Sequence, residues 1–73
     1  MAPEGKEGAV EYLLGIMRND SKNFIRLGAF QALLGYADDE EVVKKIAETA
    51  AFETDSDLKN YFQYFLENLK DEN

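Results

Sequence analysis

Residues 25–34 read Ile-Arg-Leu-Gly-Ala-Phe-Gln-Ala-Leu-Leu, and at helical spacing the apolar side chains of this region fall on two sides at once. Ile25, Ala29, Ala32, Leu33 and Tyr36 make one side; Leu27, Phe30, Leu34 and Ala37 make the other. A helix that is apolar on two sides has to be covered on two sides. The segment is therefore expected at the centre of a layered helical fold, sandwiched between neighbours. Its small residues leave room for another helix to come close, as dense interior packing requires. Gly8 and Gly15 recur seven residues apart, as do Gly28 and Gly35. Close backbone approach between the first two helices would offset the roughly 1 kcal/mol that glycine costs inside a helix.

The rest of the chain follows the same period. β-Branched residues are sparse, no Asn-Gly or Asp-Gly hairpin turn occurs, and strand alternation is absent, so the fold class is all-α. A first helix is predicted over about residues 7–18, with Val10, Leu13, Leu14 and Met17 in its stripe and Ala9 and Ile16 widening it. Asn19-Asp20-Ser21 is a turn in which Asp20 or Ser21 caps the next helix. That helix spans about 22–36 or 37. Asp38 and Glu41 have capping-box spacing for a third helix ending near Phe52. Its buried stripe is Val42, Val43, Ile46, Ala47 and Ala50, and Glu40–Lys44 and Glu41–Lys45 are i, i+4 pairs. Thr54-Asp55-Ser56-Asp57 opens a fourth helix to about Leu69, with Leu58, Phe62, Phe65, Leu66 and Leu69 on one face and Tyr61 at its edge. The 73 residues make one small domain, with a disordered N-terminus over 1–6 and a frayed C-terminus over 70–73.

Short connections force consecutive helices to be antiparallel neighbours. Four helices then form either two helical hairpins or an up-down four-helix bundle. A thirty-three-residue echo favours the hairpins: Ile25-Arg26, Ala29 and Ala32-Leu33 return as Leu58-Lys59, Phe62 and Phe65-Leu66. The acidic turn followed by an apolar–Arg pair, Ala three residues on and Ala-Leu three beyond resembles the HEAT repeat family, including its short phycobilisome-lyase type. Asp20, Ile25-Arg26, Ala29 and Ala32-Leu33 carry the resemblance, and Asp55, Leu58-Lys59 and Leu66 match it loosely. The resemblance implies two antiparallel hairpins stacked in HEAT fashion, with Asp20 and Arg26 as a structural tie between repeats. Phe62, Phe65 and Lys59 depart from the motif and suit a terminal, capping unit. About three such repeats are needed for independent stability. Two imply a fragment or C-terminal helical domain of a larger protein, such as the helical tail of an aminopeptidase, or a homo-oligomer.

Composition narrows the function. There is no cysteine and no histidine, which removes thiolate zinc sites, thiol catalysis and the commonest general base. A net charge of −7 disfavours nucleic acid and anionic membranes as partners. The polar N-terminus lacks a signal-peptide core, and no apolar run approaches a bilayer's thickness, which places the chain in the cytoplasm. Asp55-x-Asp57 begins like a calcium loop, but Lys59 and Leu66 occupy ligand positions. No nucleotide-binding or hydrolase motif is present. The chain is therefore expected to be no enzyme and to hold no metal or cofactor. Its aromatics exceed what the core stripes need, and Tyr61, Gln63 and Tyr64 are the candidate partner-binding residues. The expected role is non-catalytic protein–protein interaction or scaffolding. The alternative is a free-standing acidic bundle that regulates or inhibits a basic partner.

Overall fold

The helical periodicity resolves into four α-helices in the computed structural model, which describes the backbone of residues 5–71 and the side chains of residues 5–69. They are α1 (Gly5–Asn19), α2 (Asn23–Leu33), α3 (Glu40–Ala50) and α4 (Ser56–Asp71), with a 3₁₀ turn at Leu34–Tyr36. The described residues contain no strand, and the protein is all-α. No helix among them is long and apolar enough to cross a membrane.

Local chemistry sets the helix ends. α1 begins at Gly5, whose φ of +69° favours glycine. Gly5 and Lys6 thus belong to the helix and not to a disordered tail; residues 1–4 of that expected tail lie outside the described residues. Lys6 is anchored by a 3.0 Å ion pair to Asp39. α2 stops at Leu33, short of the expected residue 36. Three-residue hydrogen bonds, Ala37 N–H to Leu34 and Asp39 N–H to Tyr36, carry the chain on to α3. The cap of α3 is Asp39, not Asp38: its Oδ1 accepts from the Glu41 amide at 2.9 Å. Asp20 accepts from the Lys22 amide at 2.9 Å, one residue before α2, and Lys22 itself caps with no side-chain bond. Asp55 Oδ1 accepts from the amides of Asp57 and Leu58 and caps α4. α4 runs to Asp71, past the expected end at residue 69.

The core is Val10 and Met17 from α1, Ala29, Phe30 and Leu33 from α2, Val42, Ile46 and Ala50 from α3, and Leu58, Phe62 and Leu66 from α4. Phe30 and Phe62 are wholly buried at its centre, with ring centroids 4.4 Å apart. α1 packs against α2 and α3, and α4 packs against α3 and α2. α2 and α4 run in the same direction, because Asn23 meets Asp55 at one end and Gln31 meets Tyr61 further along. Lys45 pairs with Glu11 across α1 and α3 at 3.4 Å rather than with Glu41. Both partners are exposed, so that pair contributes little stability.

Three packing expectations need correction. α2 lies between α1 and α4, but its cover is incomplete: Ile25 and Ala32 of its apolar sides are exposed, as are Phe24, Gly28, Gln31 and, in the 3₁₀ turn, Gly35. Ala47 of α3 is exposed as well. Gly15, Gly28 and Gly35 do not serve close approach, since a Cβ at any of them would meet nothing within 4 Å. Among the described residues α3 and α4 lie to one side of the α1–α2 pair, and the outer side of α2 stays exposed.

Two stability measurements follow from this packing. Phe62→Ala should lower the unfolding free energy in urea by about 3–5 kcal/mol, the range for deleting a buried phenylalanine. Gly28→Ala should raise it by about 0.5–1 kcal/mol, because the position is helical and open; a loss of stability would mean that Gly28 is closely packed after all.

Candidate partner-binding face

The face is organised from a buried ion pair. Arg26 Nε donates to Glu53 Oε1 at 2.8 Å and Nη2 donates to Oε2 at 2.7 Å. Nη1 donates to the backbone carbonyl of Asp20 at 2.7 Å. The two side chains are 12% and 2% exposed. Glu53 Oε2 also accepts from the Asp55 amide at 2.9 Å. Arg26 thus bridges from α2 to the turn before α4. The carboxylate that completes the tie is Glu53, and Asp20, expected in that role, contributes only its carbonyl. Glu53 lies thirty-three residues after Asp20, the interval of the sequence echo. A strict register would have singled it out in place of Asp55.

The electrostatics match the geometry. Hydrogen bonding to Glu53 raises the Arg26 pKa further, against the effect of burial. Burial pushes the Glu53 carboxyl up, but Arg26 and the amides of Asp55 and Thr54 together hold it below the usual glutamate value. Asp55 is held low by the side-chain amide of Asn23, the backbone amide of Leu58 and then that of Asp57.

The clamp and the 3.1 Å Asn23–Asp55 bond hold the N-termini of α2 and α4 side by side. Phe24, Leu27 and Gln31 then line α2 at i, i+3, i+7, opposite Leu58 and Tyr61 of α4. Phe24, Leu27, Leu58 and Tyr61 line a groove of about 310 Å³, with Asn23, Asp55 and Asp57 on its rim. Gln31 Nε2 donates to the Tyr61 hydroxyl at 3.3 Å further along. The outward face of α2 carries Phe24, Ile25, Gly28, Gln31 and Ala32 and no charged group. Arg26 is the one charged residue between Asn23 and Ala37, and its guanidinium is taken by Glu53.

Of the three expected site residues, Tyr61 is half-buried, with its ring against Phe65 at 4.7 Å and edge-on to Phe30 at 6.0 Å. Tyr64 is 63% exposed, its ring edge-on to Phe65. Gln63 is exposed but lies two positions from Tyr61, about 200° around the helix. It does not join Tyr61 on one face. The residue that sequence reasoning missed is Phe24, also 63% exposed; its signal was the Phe24–Leu27–Gln31 spacing. The larger trough between α1 and α3, about 810 Å³, is lined by Glu11, Arg18, Lys45, Glu48 and Phe52. Its charges answer one another through Glu11–Lys45, and Arg18 sits 4.3 Å over the Phe52 ring.

Glu53→Gln tests the clamp. The lowered carboxyl contributes stability that is complete above the ordinary glutamate range, about pH 4.3, and is lost as pH falls through the folded-state value. Urea unfolding at pH 7 should show a loss of about 2–3 kcal/mol, less than for a fully buried pair because Arg26 retains some water contact. The gap between variant and parent should hold from pH 7 to 5 and close in acid. A gap independent of pH would refute the clamp's electrostatic role.

No protein-family model matches the chain, and neither the curated proteins nor the solved structures include a match to it.

Proposed function

We propose that this chain is a non-catalytic protein-binding or scaffolding module of HEAT-like build, and that the α2–α4 surface is the part it presents. The observation that carries the reading is the uncharged outer face of α2. In a chain that is 32% charged, an exposed helix face of Phe24, Ile25, Gly28, Gln31 and Ala32 lacks the polar cover that a solvated face carries. Exposed apolar surface of this kind marks interaction sites.

The HEAT-like part of the proposal draws support from the order of contacts. Stacked hairpins place α1 beside α3 and α2 beside α4, and those contacts are present. A square up-down bundle places α2 beside α3 and α4 beside α1. The Arg26–Glu53 pair joins the turns of the two units, which is the role that the resemblance gives to an inter-repeat tie. In a longer protein the same outer face of α2 is where a preceding unit or another chain would stack.

Matched variants test this reading. Ala32 on α2 and Ala47 on α3 are both exposed helical alanines. Ala32→Arg should reduce protein co-purifying with the tagged chain by about tenfold or more, a loss of about 1.4 kcal/mol in binding. Ala47→Arg should leave it unchanged. Equal recovery with both variants would refute the proposal. Side-chain NOEs test the arrangement: Val10–Val42 and Phe30–Phe62 contacts should dominate over contacts between α2 and α3, and the reverse pattern would identify the bundle.

A further inference from the structure

We infer that the groove between the N-terminal halves of α2 and α4 docks a basic, apolar segment of a partner protein. An apolar side chain seats among Phe24, Leu27, Leu58 and Tyr61, and a lysine or arginine beside it reaches Asp57 and Asp55. The inference rests on the protein-binding reading above and names the chemistry of the partner.

The groove is built rather than incidental. Leu58 forms a buried floor, Leu27 and Tyr61 are half-buried walls, and Phe24 stands 63% exposed at the lip. Its position is fixed by the Asn23–Asp55 bond at one end and the Gln31–Tyr61 bond further along. A volume of about 310 Å³ accommodates an aliphatic or aromatic side chain. Aromatic residues around a small apolar pocket are the usual anchors of binding energy.

Charge selects the occupant. The ionisable groups on the rim are carboxylates, Asp55 and Asp57, apart from the Tyr61 phenol. Asp55 spends its oxygens on Asn23 and on the amides of Asp57 and Leu58. The Asp57 carboxylate is exposed and makes no hydrogen bond or ion pair among the described residues. Arg26 is held by Glu53, Lys59 is two positions from Asp57 and from Tyr61, on another side of α4, and exposed Lys22 forms no ion pair among the described residues. A second copy docking through the same groove would bring the same two carboxylates together, in a chain of net charge −7. A basic segment reverses that repulsion and is steered to the groove by the field of the whole chain.

A random-peptide display library panned against the intact 73-residue chain tests the inference. Enriched peptides should place Lys or Arg within a residue or two of an apolar side chain. Synthetic copies should shift the amide resonances of Phe24, Leu27, Asp57, Leu58 and Tyr61. Phe24→Ser should weaken them about tenfold or more. Asp57→Asn should weaken them severalfold and flatten the salt dependence. Both residues are exposed, so the variants keep the fold, which circular dichroism verifies. Acidic or uncharged consensus peptides, equal binding to Phe24→Ser, or no enrichment would overturn the inference. Peptides lost with Ala32→Arg but kept by Phe24→Ser and Asp57→Asn would overturn it and leave the protein-binding reading standing. A dimer in sedimentation that Phe24→Ser dissolves would also overturn it, by making the occupant a second copy.

Discussion

Everything on the α2–α4 side depends on one buried charge pair. Placing Arg26 and Glu53 out of water carries a desolvation penalty that Coulomb attraction alone does not reliably recover. The pair survives because every strong group is answered. The guanidinium makes a bidentate bond to the carboxylate and donates a third time to the Asp20 carbonyl. The carboxylate in turn takes the Asp55 amide. No buried side-chain polar atom among the described residues lacks a partner. The planar fork of arginine is what permits three directed bonds at once, and lysine does not reproduce it. The pair therefore acts on geometry more than on net stability. It sets where the turn before α4 sits relative to the turn before α2, and so sets the register of two helices that share no covalent hairpin.

From that register the rest of the face follows. With the N-termini fixed, Phe30 of α2 falls onto Phe62 and Phe65 of α4, and Tyr61 lies along the seam where Gln31 can reach its hydroxyl. Aromatic pairs in tilted or edge-on arrangement add roughly 0.5–1.5 kcal/mol each beyond their buried area. A small chain buries only about 60% of its unfolded surface, so these few contacts bear a large share of the cohesion. Among the described residues the outer side of α2 stays exposed.

Much of this was legible in the sequence. Four helices and the acidic turns follow from period and composition, and Arg26 was marked, with Asp20, through the family resemblance alone. What was not legible depended on distance or on end chemistry. Glu53 sits in a turn like any other acid until Arg26 folds onto it from twenty-seven residues away. Asp38 and Asp39 are both plausible caps by spacing, and the Lys6 ammonium helps single out Asp39. Gln63 was grouped with Tyr61 by nearness in sequence, where helical rotation separates them. The two-sided apolarity of α2 is met only in part: α1 and α4 lie against it, and Ile25 and Ala32 stay exposed.

The thirty-three-residue echo compares the side chains that α2 and α4 bring to their contact. In that register Ala29 corresponds to Phe62, and Ala32 to Phe65. The two aromatics point inward: Phe62 is wholly buried against Phe30, and Phe65 packs beside it. The two alanines divide, with Ala29 buried and Ala32 exposed. α4 therefore fills its contact with α2 with bulk, where α2 presents small residues both to the core and outward. That asymmetry between positions thirty-three residues apart leaves the outer surface of α2 small and uncharged while the aromatics of α4 close the core.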